Sequence, residues 1–216
     1  MHRRAIEAGV TILNEVGLDP GIDHFYALKT INEVHAAGGK ILSFQSYCGG
    51  LPAPEVSNNP LGYKFSWSPR GVLLALRQEA RFREGGKTVI IPGPELLNSA
   101  KPIFVYPAFA FMGYPNRDST PYDVKYNIPE AQTIVRGTLR YQGNPQFMQA
   151  LVELGLLDDS AKDFLAPSAP AIAWKQLLAK LWSTADDSVT TLRAKAAELA
   201  HLSGENKDRI LNGMSW

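Results

Sequence analysis

At Asn144 this chain changes character. Before it, short β-rich runs alternate with helix-like segments; after it, residues 145–154, 174–182 and 188–201 all carry helical spacing. A Pro/Ala/Ser-rich link at 166–170 joins the helical pieces. Mixed elements followed by helices alone read as an α+β unit with a helical subdomain appended, the boundary falling near residue 143. No internal repeat or low-complexity tract is visible.

Within the first part, residues 3–8 read as a helix stopped by Gly9, and Val10-Thr11-Ile12-Leu13 as a short strand. Residues 17–21 form a turn. Helical spacing returns over Ile22–Ala36, with Ile22, Phe25, Leu28 and Val34 as its expected buried side. Gly38-Gly39 ends it, and residues 41–47 alternate like a half-buried strand. Ser68-Pro69 is a helix start, with serine at the cap and proline at the first position. A helix is expected from Pro69 to Phe82, presenting Val72, Leu73, Leu76 and Ala80 on one side. Strands are expected at 88–91, 103–106, 108–112 and 133–141.

Composition excludes several functions. A net charge of +1 gives no electrostatic reason to expect nucleic acid or an anionic membrane as partner. No apolar run approaches the ~20 residues that span a bilayer. The basic N-terminus lacks the apolar stretch of a secretory signal. One cysteine forms no internal disulfide and suits a reducing compartment. The histidines at 2, 24, 35 and 201 have no metal-ligand spacing. The expectation is a soluble, cytoplasmic protein that holds no metal.

Several side chains could carry chemistry. Asp19, before a proline, is either a turn residue or a functional carboxylate. His24 reads first as a histidine packed on a helix face. Cys48 ends a strand before two glycines and reads as an apolar filler in a pocket wall. Arg117 stands in a proline-flanked turn, where its guanidinium could grip a carboxylate as a bidentate fork. The alternative is a structural pair with Asp118 or Asp123. On a strand, Arg136, Thr138 and Arg140 share one face, which suits a multiply anionic ligand or is simply an exposed basic face. No Gly-x-Gly-x-x-Gly turn for a dinucleotide pyrophosphate occurs, and Gly38-Gly39-Lys40 and Gly85-Gly86-Lys87 are too short to serve.

Four stretches carry a resemblance: Asn14–His24 (NEVGLDPGIDH), Tyr47–Pro54 (YCGGLPAP), Asn59–Ser68 (NPLGYKFSWS) and Gly113–Thr120 (GYPNRDST). Together they resemble the glutamate-forming saccharopine dehydrogenases, or saccharopine reductases. The resemblance runs densely over 14–142 and thins through the tail. It implies a mixed-sheet substrate-binding and dimerisation domain over 19–143. Residues 1–18 would be the last α–β remnant of a dinucleotide-binding Rossmann domain, and 144–216 an incomplete helical subdomain.

The same resemblance gives the residues roles. Asp19 and Cys48 would be the catalytic pair, although imine formation and hydride transfer need no thiol nucleophile. Asp19, Arg117, Thr138, Leu139 and Arg140 would bind substrate. Leu18, Asp19, Pro20 and Ser68 would border NADP or NAD, the choice between the two being open. The implied reaction oxidises saccharopine to glutamate and 2-aminoadipate 6-semialdehyde, or runs in reverse, in lysine metabolism. Implied partners are these small molecules and a possible second copy in a homodimer, with no nucleic acid and no membrane. A mitochondrial location would apply if the chain were part of a larger eukaryotic enzyme. Without the glycine turn, the chain alone is expected to be inactive. A ligand-binding or dimerising module descended from that enzyme is the other reading.

Overall fold

The computed structural model describes residues 2–214. After helix α1 (His2–Glu7) an extended segment leads to α2 (Ile22–Ala36) and strand β1 (Ser43–Cys48). A long loop reaches α3 (Pro69–Ala75), then the hairpin β2 (Ala80–Glu84) and β3 (Lys87–Ile91). Strands β4 (Lys101–Ile103) and β5 (Phe111–Pro115), the single turn α4 (Tyr122–Lys125) and β6 (Thr133–Tyr141) complete the sheet. The tail holds α5 (Asn144–Glu153), α6 (Trp174–Trp182), α7 (Val189–Leu199) and α8 (Gly204–Gly213).

The sheet has six strands, hydrogen-bonded in the order β3-β2-β6-β5-β4, and β1 pairs with β6 off this path. Strand β6 is rich in β-branched residues, which suit a pleated surface. It runs parallel to β1 (Ser43↔Thr133 to Cys48↔Thr138) and antiparallel to β5 (Phe111↔Tyr141 to Pro115↔Gly137). Where β5 ends, the following turn continues the pairing. The Arg136 N–H donates to Ser119 Oγ (2.9 Å), and the Asn116 N–H donates to the Arg136 carbonyl (2.9 Å).

Three apolar clusters hold these layers. Under α2, Ile31 packs with Tyr126, Ile128, Ala131 and Ile134. A second joins Leu76, Ala80, Leu96, Leu97 and Tyr114 to Met148 of α5. The third lies among the tail helices, where Phe147 and Ala150 of α5 and Leu154 just after it meet Trp182, Leu192, Ala196, Ile210 and Leu211. Helix α5 therefore contributes to the core on both of its sides. The Trp182 indole N–H donates to the Leu154 carbonyl at 2.9 Å, which satisfies the polar edge of a buried aromatic.

The mixed α+β sheet with a helical tail is as the sequence implied, but five local expectations need correction. Residues 10–13 form no strand: no ladder runs alongside them, and Val10, Ile12 and Leu13 are exposed. Helix α2 has the expected bounds but docks through Ala27, Leu28, Ile31 and Val34, a stripe that leaves Ile22 and Phe25 outside. The expected helix 69–82 ends at Ala75, because residues 80–84 pair as β2 with β3 through a two-glycine turn. Strands β4 and β5 are shifted from 103–106 and 108–112, and Phe104 and Tyr106 are exposed in the loop between them. Helix α8 was not anticipated, since its buried contribution comes chiefly from the adjacent Ile210 and Leu211.

Candidate functional site

Arg136 sits where three segments meet. It lies one pleat from Thr138 on β6, beside Ser46 of β1, and faces the turn that opens α2. That turn is tight. The Gly17 N–H donates to the Pro20 carbonyl (3.0 Å), the Ile22 N–H donates to the Gly17 carbonyl (3.0 Å), and the Asp19–Pro20 peptide is cis. A Cβ on Gly21 would lie 2.0 Å from the Gly17 carbonyl oxygen, so only glycine closes it. The turn carries Asp19 to the sheet and starts α2 so that Asp23 follows one helical turn later.

Both carboxylates meet the same guanidinium. Arg136 Nη2 donates to Asp19 Oδ1 (2.9 Å) and Asp23 Oδ2 (2.6 Å), while Nη1 donates to the Tyr122 hydroxyl (2.5 Å). The guanidinium also lies 4.8 Å from the Tyr122 ring centroid, as a cation over an aromatic face. Burial pushes Asp23 up, but N–H donation from Gly21 and His24 and the charges of His24 and Arg136 together hold it below the usual carboxylate range. Burial tends to discharge Arg136. The hydroxyls of Tyr122 and Tyr126 and the two aspartates more than offset that.

Cys48 lies opposite Thr138 across the parallel pair, so both side chains share the face of Arg136. Burial pushes its thiol up, and the charge of Asp19 and a hydrogen bond to that carboxylate push it further; Arg136 offsets part of this. Such a thiol is held protonated, which fits a donor in a pocket wall and not a nucleophile. His24 is wedged between Tyr122 and Tyr126, with the Tyr126 hydroxyl 2.5 Å from its Nδ1. Burial pushes that hydroxyl up to about 12.

Further along the same strand face, the buried Thr138 accepts a hydrogen bond from Asn116 Nδ2 (3.2 Å) and lies opposite the buried Tyr114 of β5. Arg140 lies 4.7 Å over the Tyr63 ring, and its Nη1 donates to the Leu139 carbonyl (2.8 Å). Gly49 makes this possible, because a Cβ there would lie 1.9 Å from the Leu139 oxygen and 2.6 Å from Arg140 Nη1. Leu139 itself points to the opposite face of the sheet. The loop that supplies Tyr63 is pinned by the Tyr141 hydroxyl donating to the Pro52 carbonyl and by Asn144 Nδ2 donating to that of Leu61.

Arg117 stands at the exposed tip of the turn beside Arg136, at φ 54°. Its two suggested structural partners are engaged elsewhere: Asp118 accepts from Thr120, and Asp123 pairs with Arg83 at 2.6 Å. Among the described residues, the Arg117 guanidinium has no hydrogen bond or ion pair. Ser68 caps α3, its Oγ accepting from the Gly71 N–H at 3.1 Å. Leu18, at 64% exposure, and Pro20 lie open beside Asp19. The structure thus gathers Asp19, Cys48 and Thr138 around Arg136, sets Arg140 farther along β6, and leaves Arg117 and Ser68 at exposed positions. Sequence reading missed Asp23, Tyr122 and Tyr126. The i, i+4 spacing of Asp19 and Asp23 was the signal for the first, while the tyrosines gave none.

Fold and site together define a mixed-sheet domain that presents one charged strand face beneath the N-terminus of a helix. The chain belongs to the family of the saccharopine dehydrogenase C-terminal domain, which it matches over residues 17–211. It is 58% identical to the NADP(+), L-glutamate-forming saccharopine dehydrogenase of Schizosaccharomyces pombe, over the whole chain and 48% of that protein. It is 44% identical to the mitochondrial alpha-aminoadipic semialdehyde synthase of Bos taurus, over the whole chain and 23% of that protein. The apo structure of the L-Glu-forming saccharopine dehydrogenase of Saccharomyces cerevisiae superposes with a TM-score of 0.87 at 53% identity, covering 97% of this chain and 47% of that one. The chain thus spans about half the length of these dehydrogenases.

Proposed function

We propose that this chain is the substrate-binding part of an L-glutamate-forming saccharopine dehydrogenase. In the complete enzyme, saccharopine would be oxidised at its secondary amine and the resulting imine split by water to glutamate and 2-aminoadipate 6-semialdehyde, or the reverse. The observation that carries this reading is the convergence of Asp19, Cys48 and Thr138, from three segments far apart in sequence, on one strand face that also bears Arg140. Its relatives are named for that chemistry.

Asp19 would hold the substrate's secondary ammonium, with the protonated Cys48 thiol beside the same carboxylate. Arg140 and the unpaired Arg117 would grip carboxylates, and Thr138 would add a hydroxyl beneath them. A bound nicotinamide supplies hydride acceptance. Leu18, Asp19 and Pro20, open at the edge of the turn, and the exposed Ser68 fit the border of such a group, but among the described residues no glycine turn cradles its pyrophosphate.

Calorimetric titration of the chain with saccharopine tests the reading directly. Binding should be measurable, and Arg117→Ala should weaken it by about 1.5–3 kcal/mol through loss of a charge-assisted bond. An unchanged affinity would remove Arg117 from the site. Nicotinamide absorbance should show turnover once the nucleotide-binding half of a relative is supplied. Saccharopine binding with no such complementation would favour a ligand-binding module instead.

A further inference from the structure

Arg136 shares its strand face with the residues assigned to the ligand, yet its hydrogen bonds are already directed inward. One terminal nitrogen serves both Asp19 and Asp23, the other serves Tyr122, and the side chain is only 19% exposed. Its main-chain N–H and C=O are fixed as well, by Ser119 and Asn116. The strand cannot shift without breaking these contacts, so the guanidinium is a fixed point. Asp19 is the opposite. It stands in an exposed turn, and its side chain is 33% exposed.

We propose that Arg136 is the positioning residue of this site: it locks the Asp19 carboxylate against the sheet through a fork shared with Asp23, and makes no contact with substrate itself. The identity of the group that Asp19 meets rests on the saccharopine reading; the lock does not. A guanidinium does this where an ammonium would not, because its planar donors hold three oxygens in set directions at once. Charge agrees with the assignment. Two aspartates face one arginine, which leaves the cluster with an unbalanced negative charge toward the turn, suited to a cationic amine. A substrate carboxylate approaching Arg136 would meet both aspartates first, so carboxylate binding falls to other arginines.

Cys48, the chain's one cysteine, reads the lock without substrate or cofactor, because it shares the face of Arg136 and the neighbouring Asp19 carboxylate pushes its thiol up. The charged groups that act on it are Asp19 from the turn, Asp23 from α2 and Arg136 from β6; beyond them lie His24 of α2, Glu15 of the preceding segment, Tyr122 of α4 and Tyr126 just after it. The pH profile of iodoacetamide alkylation gives the apparent thiol pKa. Asp19→Asn in the otherwise unaltered chain should lower it by about one unit, the effect of removing a neighbouring carboxylate. In an Arg136→Gln background the same substitution should shift it by less than a third as much, because an unlocked Asp19 leaves the thiol. This difference of differences cancels the direct effect of Arg136's charge on Cys48, and a merely structural role would not produce it. Arg136→Lys, which keeps the charge and loses the fork, provides a second background in which the shift should also collapse if Arg136→Gln does not fold. An undiminished Asp19→Asn shift in either folded background overturns the proposal. Titration of the chain with saccharopine, run alongside, separates the two ideas: a collapsed shift without saccharopine binding upholds the lock and refutes the substrate reading.

Discussion

Of the two aspartates that meet Arg136, Asp23 is the more enclosed, its side chain 11% exposed against 33% for Asp19. Because its folded-state pKa lies below the unfolded value, it contributes stability that is present above about pH 4 and is lost as pH falls through the folded pKa. Asp23→Asn should therefore lower stability at neutral pH, with the gap from wild type closing below about pH 4 in urea denaturation at a series of pH values. A gap that persists undiminished at pH 3 would remove the charge explanation. Asp19 was visible in the sequence through its Asp-Pro turn. Its partner was not, because Arg136 lies 117 residues away and an arginine on a strand face carries no mark of what it will meet. Arg136 was read as one of two ligand arginines, and the structure divides that pair into an inward-bonded residue and Arg140, which faces Tyr63.

At the scale of elements, sequence reading held where one periodicity runs uninterrupted. The bounds of α2, α6 and β6 are as expected, each a single pattern between clear stops. It failed at residues 69–84, where apolar spacing over Val72, Leu73, Leu76 and Ala80 continues across a break. Those side chains do pack inward, but the last comes from a strand. The missed signal was Gly85-Gly86, flanked by residues that pair in register from Glu84↔Lys87 to Ala80↔Ile91. Both glycines have positive φ (56° and 77°), the pattern of a two-residue hairpin turn with both central residues left-handed. Gly85 has open space around it, so Gly85→Asn should keep stability within about 0.5 kcal/mol, whereas Gly85→Val should cost more than about 1 kcal/mol. Equal losses in thermal denaturation of the two variants would contradict the turn geometry.

For the whole molecule, α5 decides whether sheet and tail behave as one body. Its Phe147 and Ala150 belong to the tail core, and its Met148 to the cluster beneath Tyr114. Heat should therefore unfold the chain in a single calorimetric transition, with matching calorimetric and van't Hoff enthalpies. Two resolved transitions would show that the boundary expected near residue 143 separates independent units. The N-terminal segment behaves differently: Ile6, Val10, Leu13, Val16 and Leu18 are all more than half exposed, an apolar strip without a covering layer among the described residues. Residues 10–13 read as a strand because strand propensity is present there, but a strand also needs a neighbour to pair with.

The parallel pairing of β1 with β6 has a consequence for how the protein is made. Ser43 leaves the ribosome about 90 residues before Thr133, its partner, so at typical synthesis rates β1 waits roughly 5–20 s for the strand it pairs with. Asp19 and Cys48 wait with it, since their surface is completed by Arg136 and Arg140 on that same late strand. A nascent chain that stops short of β6 has Asp19 and Cys48 but neither Arg136 nor Arg140 to set beside them. The charged face is completed at one moment, when β6 takes its place beside β1 and β5.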